Sequence, residues 1–328
     1  MRRREFLLGA AALATAPTTR AAVRYPIVKP GYRFEFPREH GAHPEFRQEW
    51  WYVTGWLSRG RGDPLGFQVT FFRAPPDLQT ANPSAFAPRQ VILAHAALAD
   101  PRHGALKHDE RAAREALGLA GAEQGSTRAW VDDWRLDLQG DTYRTRIAAR
   151  EFLLDLEFEA RKPPLLQGEQ GFSRKGEHPE EASYYYSRPH LGVRGTIESG
   201  RHRETVSGTA WVDHEWSSQY MSEQASGWDW VGLNLAGGDS LMAFRMRGKQ
   251  GGTLYAPAGV AFEPLRTWRS PRPGVEYPVS MRVSSGGKTY VLEPLMDDQE
   301  LDARASTGTI YWEGAVRALE QGREAGRG

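Results

Sequence analysis

Residues 134–160, WRLDLQGDTYRTRIAAREFLLDLEFEA, carry the pattern that decides the fold. Apolar and polar residues alternate in three consecutive runs, and a Gln-Gly-Asp turn at 139–141 separates the first two. In the third run the apolar positions all fall on one face; they are Phe152, Leu154, Leu156 and Phe158. A period of two indicates half-buried strands, so the stretch predicts a β-hairpin and a further strand.

The same period recurs along the chain. Further strands are predicted at 65–72, 89–98, 277–283 and 288–295. One Ala-rich stretch, Glu110–Leu119, favours a short helix instead, since Gly118 and Gly121 limit it to two or three turns. Many short antiparallel strands with Gly and Pro turns predict an all-β sandwich or barrel.

Composition excludes several classes of function. The 328 residues carry a formal net charge of +1, with basic and acidic residues interspersed, which gives no electrostatic footprint for nucleic acid. The chain has no Cys, so disulfides, thiol catalysis and cysteine-ligated metals are excluded.

The first 22 residues, MRRREFLLGAAALATAPTTRAA, predict an export signal of the twin-arginine type. Arg3 and Arg4 precede a short apolar run that small residues follow, and this run is too short for a permanent membrane anchor. The expected location is periplasmic or secreted; the alternative is a disordered basic tail.

A weak internal repeat suggests duplication. EWWYVTGWL at 49–57 resembles GWDWVGLNL at 227–235, and a strand ending in Arg follows each. The halves end with GTAWVDHEW at 208–216 and GTIYWEGAV at 308–316. The repeat predicts two consecutive antiparallel β-barrels, at residues 30–220 and 221–328.

WVDHEWSSQY at 211–220 carries the most chemistry. On a strand, Trp211, Asp213 and Glu215 share one face, whereas His214 points to the other. A carboxyl inside an apolar barrel has a raised pKa, which general-acid chemistry requires. Alternatively, the two carboxylates pair with an arginine or cap a turn at the barrel rim.

Other clusters are less specific. A composite metal site from His40, His43, His190 and His214 is conceivable, but adjacent strand residues cannot converge on one ion, so no metal is expected. In SYYYSRPHLG, Tyr184 and Tyr186 share a face, either packing in the core or lining a ligand cavity.

Taken together, several motifs resemble the AttH-like group of exported lipocalin-like proteins, which is related to the carotenoid 1,2-hydratases (hydroxyneurosporene synthases). The motifs are REHGAHPEFRQEWWYVTGWL, GFQVTFFR, ALGLAGA, GFSRKG, SYYYSRPHLGVRGTI, VSGTAWVDHEWSSQY, GWDWVGLNL and YWEGAVRA. The resemblance spans about residues 30–316 and implies two lipocalin-like, calycin-type barrels in tandem.

The resemblance also implies a function. In the hydratases, water adds across a carbon–carbon double bond after an acid protonates it, and Asp213 is the implied proton donor, with His190 orienting the site. No cofactor is expected. The implied ligand-binding residues are Trp211, His214, Glu215, Tyr184, Tyr186, Trp50, Tyr52, Trp228 and Trp230.

Two other functions stand beside the hydratase. One is a non-catalytic periplasmic carrier of a carotenoid, isoprenoid or lipid, accompanying an ABC-type permease. The other is a structural pair of barrels with filled interiors, binding a membrane protein. The resemblance further implies one more strand beyond Gly326–Gly328, so the second barrel is expected to have an open edge.

Overall fold

The computed structural model describes residues 24–60, 62–75, 90–219, 221–272 and 274–328. The predicted export signal at residues 1–22 lies outside these ranges. Within them the chain forms 23 strands, two short 3₁₀ turns (Arg38–His40 and Pro101–His103) and no α-helix. No helix in the described part is long and apolar enough to cross a bilayer. The all-β prediction is confirmed.

The first sheet is a nearly closed barrel. Its strands are β1 (Gln48–Ser58), β2 (Leu65–Ala74), β3 (Val91–Ala99), β4 (Lys107–Arg114), β5 (Ala120–Ala122), β6 (Arg128–Val131), β7 (Trp134–Gln139), β8 (Thr142–Ala148), β9 (Phe152–Glu159), β10 (Leu165–Leu166), β11 (Phe172–Arg174), β12 (Ala182–Ser199) and β13 (His202–Gln219). Their order is β4-β3-β2-β1-β13-β12-β9-β8-β7-β6-β5, and the two ends of the sheet approach each other.

The second sheet is a half-barrel. It comprises β14 (Ala225–Leu235), β15 (Ser240–Gly248), β16 (Thr253–Tyr255), β17 (Ala261–Arg269), β18 (Glu276–Ser285), β19 (Lys288–Pro294), β22 (Val316–Glu320) and β23 (Arg323–Arg327), whereas β20 (Glu300–Ala303) and β21 (Thr309–Trp312) pair only with each other. The strands to Gln219 thus build the first sheet, and those from Ala225, except β20 and β21, build the second.

Large side chains fill the interior of the first barrel. Six aromatic residues in this core are at most 3% exposed; they are Trp51, Phe67, Phe71, Trp134, Tyr143 and Phe158. The hairpin at 134–148 and the strand at 152–159 form as predicted, and their alternate residues point inward. Burial of these rings supplies the apolar free energy that closes the sheet.

Two predictions about local structure are wrong. Instead of a helix at Glu110–Leu119, residues 107–114 form β4, because pairing along all of β3 satisfies their backbone and outweighs alanine's helix preference. The segment at 308–316 does not close the second sheet, since β21 pairs with β20. The place of the open edge also differs from the expectation: the second sheet is open at β16 and β17, whereas β23, which includes Gly326, lies between β14 and β22.

Candidate active site between the two sheets

Strand β13 presents two chemically different faces, as its alternation predicts. His214 and Trp216 point toward the inside of the first barrel, where His214 stacks on Trp51 at 4.8 Å between ring centroids. Trp211 and Asp213 point outward, and the Trp211 Nε1–H donates to Asp213 Oδ1 over 2.6 Å. Asp213 therefore lies outside the barrel, which corrects the expectation of an acid in the barrel interior.

The second sheet covers this outward face. The ring of Trp230 on β14 lies edge-on to Trp211, with centroids 6.3 Å apart, and its Nε1–H donates to the hydroxyl of Tyr185 over 3.1 Å. Gly232 permits this approach, since a Cβ there would lie 2.7 Å from the Trp230 ring and 2.9 Å from the Trp211 ring. The two sheets thus meet through aromatic side chains.

Asp213 is a buried carboxyl beneath this aromatic layer. Its side chain is 4% exposed, and Oδ1 also accepts a hydrogen bond from the Ser187 hydroxyl at 2.5 Å. Loss of solvation raises the pKa of Asp213 to about 7, even though the hydrogen bonds from Ser187 and Trp211 favour the ionised form. A carboxyl of this kind holds a proton that it can donate near neutral pH.

Glu215, two residues further on the same face, is paired rather than isolated. Its Oε1 lies 2.7 Å from Lys175 Nζ and accepts a hydrogen bond from Ser183. The Lys175 ammonium in turn lies 4.2 Å from the centroid of the Phe244 ring. The pairing predicted as the alternative for both carboxylates therefore applies to Glu215, with a lysine in place of an arginine.

A second carboxyl reaches the interface from the other sheet's side. Glu313 follows β21, and its Oε1 accepts a hydrogen bond from Tyr52, the residue that pairs with Asp213 across β1 and β13. Burial raises the pKa of Glu313 to about 7 and that of Tyr52 well above its usual value. Glu313 lay in the quoted segment YWEGAV, but its sequence context gave it no distinguishing signal.

The seam between the two sheets, here termed the inter-sheet crevice, runs beside these groups and carries Tyr52, Trp228, Trp230 and Glu313. Tyr52, Trp230 and Glu313 keep partial exposure although they lie between the sheets, and Trp228 at the rim is 52% exposed. The rings of Tyr52 and Trp230 meet edge to face at 5.4 Å. Trp50 lies on the same face of β1 as Tyr52. The seam thus combines aromatic side chains with two carboxyls of raised pKa, Asp213 and Glu313.

The inward face of β13 joins a different, more enclosed cluster. The Tyr186 hydroxyl lies 2.8 Å from His40 Nδ1 and 3.1 Å from His214 Nδ1, and Tyr184 packs with Trp216 at 5.9 Å. Tyr184 and Tyr186 share a face, as their spacing predicts, but they lie with His214 on the opposite side of the sheet from Asp213 and do not line its site.

Three groups in this cluster could hold a metal ion. The ligand atoms of His43, Glu49 and His214 lie within 4.8 Å of one another. However, Glu49 Oε1 already lies 2.8 Å from a ring nitrogen of each histidine, and Arg73 Nε donates to Oε2 at 2.8 Å. The three groups form a hydrogen-bonded ion network that needs no metal. The guanidinium of Arg73 already pairs with Glu49 and would repel a metal cation bound to the same carboxylate.

The three histidines near this network differ in protonation. Burial opposes the charged ring of His43, but hydrogen bonds to Glu39 and Glu49 outweigh it and raise its pKa to about 9. Burial lowers the pKa of His40 to about 3 and also lowers that of His214. The cluster therefore contains a cationic His43 between carboxylates and two neutral imidazoles, and it fixes the loop 38–47 across the end of the barrel.

His190 occupies a third location. It sits at a bulge in β12 with φ +58°; its N–H donates to Asn234 Oδ1 over 2.8 Å, and its Nε2 lies 2.6 Å from the carbonyl oxygen of Asp239. It lines an open groove of about 670 Å³ along β9, β12 and β13. The structure does not bring His190 together with Asp213; Ser187 and Tyr185 are the β12 residues beside that carboxyl.

Comparison with known sequences assigns the chain to a family. The profile of AttH-like proteins matches residues 27–328, nearly the whole described chain. The chain belongs to the AttH-like family. No curated protein sequence matches it.

Two solved structures resemble this AttH-like chain. A crystal structure of a protein assigned as AttH from Nitrosomonas europaea is 47% identical, with a TM-score of 0.86, over 93% of this chain and 98% of the other. Kievitone hydratase from Nectria haematococca is 15% identical, with a TM-score of 0.62, over 92% of this chain and 91% of the other. The second similarity shows a shared fold.

Proposed function

We propose that this AttH-like protein adds water across a carbon–carbon double bond of an apolar small molecule bound in the inter-sheet crevice, with Asp213 as the acid. The observation that carries the proposal is the Asp213 carboxyl, 4% exposed beneath Trp211 and Trp230, with its pKa raised to about 7. An acid with a pKa near the working pH is the most effective proton donor.

The surroundings of Asp213 suit the chemistry of such a step. Transfer of the proton to one alkene carbon leaves a carbocation on the other and a carboxylate at Asp213. The faces of Trp211, Trp230 and Tyr185 supply the electron density that attracts a cation. Ser187 and Trp211 already donate to Asp213 Oδ1 and stabilise the carboxylate that forms.

Family and fold support the reaction class. The chain shares its fold with a protein named kievitone hydratase, and aromatic residues line the crevice. We extend the proposal to an isoprenoid, carotenoid or lipid substrate. We also propose export through residues 1–22 to the periplasm or beyond; expression with and without these residues, followed by fractionation, tests this.

A carrier function is the second candidate, and the exposure of Trp228 favours it. A 52% exposed tryptophan at the rim is an apolar surface that a bound molecule would cover. A carrier accompanying an ABC-type permease requires ligand retention but no proton transfer.

The test uses purified protein with lycopene, squalene and kievitone in detergent micelles, and mass spectrometry for gain or loss of one water. We expect Asp213→Asn to lower turnover by about 10²-fold or more. Asp155→Asn, at an exposed position on β9, is the matched control and should keep full activity. Full turnover in Asp213→Asn would overturn the acid assignment. Retention of a ligand without turnover, unchanged in Asp213→Asn, would favour the carrier.

A further inference from the structure

A small pocket with both polar and apolar lining adjoins Glu313 on the side of the first sheet. Thr54, Gln68, Gln299 and Glu313 are among its lining residues, and it has room for about one water molecule. It lies at the base of the inter-sheet crevice, since Thr54 and Tyr52 share a face of β1.

Gln68 gives this pocket an unsatisfied polar group. The side chain is 3% exposed, its Nε2 donates to the Thr70 hydroxyl, and its buried Oε1 has no partner among the described residues. Turning the amide over exchanges the two atoms, but one end still lacks a partner. Because a buried amide group without a partner loses its hydration and gains nothing in return, such a group usually binds an ordered water.

Glu313 has free capacity for the same water. Tyr52 donates to Oε1, and no described residue donates to Oε2. Gln299, by contrast, is fully engaged: its Nε2 donates to the carbonyl oxygen of Met296 at 2.9 Å, and its Oε1 accepts from the Ala315 N–H at 2.9 Å. The two side chains in the pocket that have unused hydrogen-bonding capacity are therefore Glu313 and Gln68.

We propose that this pocket holds the water that adds to the substrate, bound between Gln68 and Glu313, and that Glu313 is the catalytic base that takes its proton. The inference rests on the proposed hydration and assigns its second half to a residue from the second sheet's side of the crevice.

The step balances with the groups present. Asp213 gives its proton to one alkene carbon, and the π electrons form the new C–H bond. The water oxygen then forms a C–O bond to the cationic carbon, and its proton passes to the Glu313 carboxylate. The cycle ends with Asp213 ionised and Glu313 protonated, and one proton must return. Tyr52 donates a hydrogen bond to Glu313, and its backbone pairs with that of Asp213 in the strand register, so the return path is expected to pass this residue.

The acidity of Glu313 suits a base. Its pKa of about 7 leaves a substantial carboxylate fraction at neutral pH and makes that carboxylate far more basic than an exposed one. The only described hydrogen bond that lowers this pKa comes from Tyr52, so Tyr52→Phe should raise it further.

The first experiment needs no substrate. The experiment compares crystals of the wild type, Gln68→Met and Glu313→Gln. The wild-type crystals should show one ordered water within hydrogen-bond distance of both Gln68 and Glu313. Gln68→Met should lose this water and keep the Tyr52–Glu313 contact. Gln139→Met, at the exposed end of β7, is the matched control. An empty pocket in well-ordered wild-type crystals would overturn the water site.

The second experiment separates the two roles with whichever of lycopene, squalene or kievitone is turned over. Glu313→Gln should lower the rate by about 10²-fold or more and remove the acid limb of the pH profile, whereas Asp213→Asn should remove the alkaline limb. Full activity in Glu313→Gln, with Asp213→Asn inactive, would overturn the base and leave the proposed function standing. If the wild type turns over none of the probes, both the proposed hydration and the role of Glu313 as base are refuted. The crystals then test only whether the pocket binds a water.

Discussion

Replacing Asp213 with asparagine should make the protein more stable at neutral pH, although it removes a residue at the centre of the candidate site. Asparagine has nearly the same shape, and its Oδ1 can accept the hydrogen bonds from Trp211 and Ser187. The substitution removes the cost of ionising a carboxyl that is 4% exposed.

The magnitude follows from the pKa of Asp213, which rises from 3.8 in the unfolded chain to about 7 in the folded protein. Because the folded pKa is the higher one, the stability contributed by the protonated carboxyl is complete below pH 3.8 and is lost as pH rises through 7. Each unit is worth about 1.4 kcal/mol, so the shift of about three units should cost the wild type about 4 kcal/mol relative to Asp213→Asn, lost between about pH 4 and 7.

Urea unfolding of both proteins at several pH values measures this difference. The gap between them should widen steadily from about pH 4 and level off above about pH 7. Asp155→Asn, at an exposed position, supplies the control for a generic Asp-to-Asn effect. A gap that is constant with pH would show that Asp213 ionises normally, and the acid role would fall with it.

Three further predictions concern the rest of the molecule. Glu49→Gln should lower the free energy of unfolding by about 3–5 kcal/mol, measured in urea, because a protonated His43 and a buried guanidinium lose their carboxylate; an effect below 1 kcal/mol would contradict the network. In ¹⁵N-detected NMR titrations the His43 ring should stay protonated until about pH 9, and the His40 ring should stay neutral down to about pH 3. The stability that His43 protonation contributes is then present below its unfolded pKa of 6.5 and is lost as pH rises through 9. An ordinary titration near 6.5 for both rings would refute this prediction. Gly208→Ala should cost about 1–3 kcal/mol in thermal or urea unfolding, since its Cβ would lie 1.9 Å from a carbonyl oxygen of β1, and a neutral result would mean that the two strands separate easily.

Much of the fold could be predicted from alternation alone. Along β9 the apolar residues must be buried together, so the sequence predicts both the strand and its inward face. Residues 110–119 mislead because the helix preference of alanine is too weak to resist pairing with β3, the strand that comes just before them in the chain. The place of β23 likewise depends on which strands pair, which no local pattern specifies.

The candidate site could be predicted only in part. The period of β13 places Trp211 and Asp213 on one face, and it separates them from His214. The alternation does not specify which face of β13 points into the barrel, because both faces carry a tryptophan and are apolar enough to be buried. Glu313 reaches the site through the docking of two sheets, and a single acidic residue between Trp and Gly carries no local sign of that contact.

The aromatic layer over Asp213 has a consequence for how the protein works. The proton affinity of this group is created by contact between two separately built halves, one bringing Trp211 and the other Trp230. If the halves parted, water would reach the carboxylate and the stored proton would be released. Parting of the sheets would thus lower the pKa of Asp213, and their contact raises it.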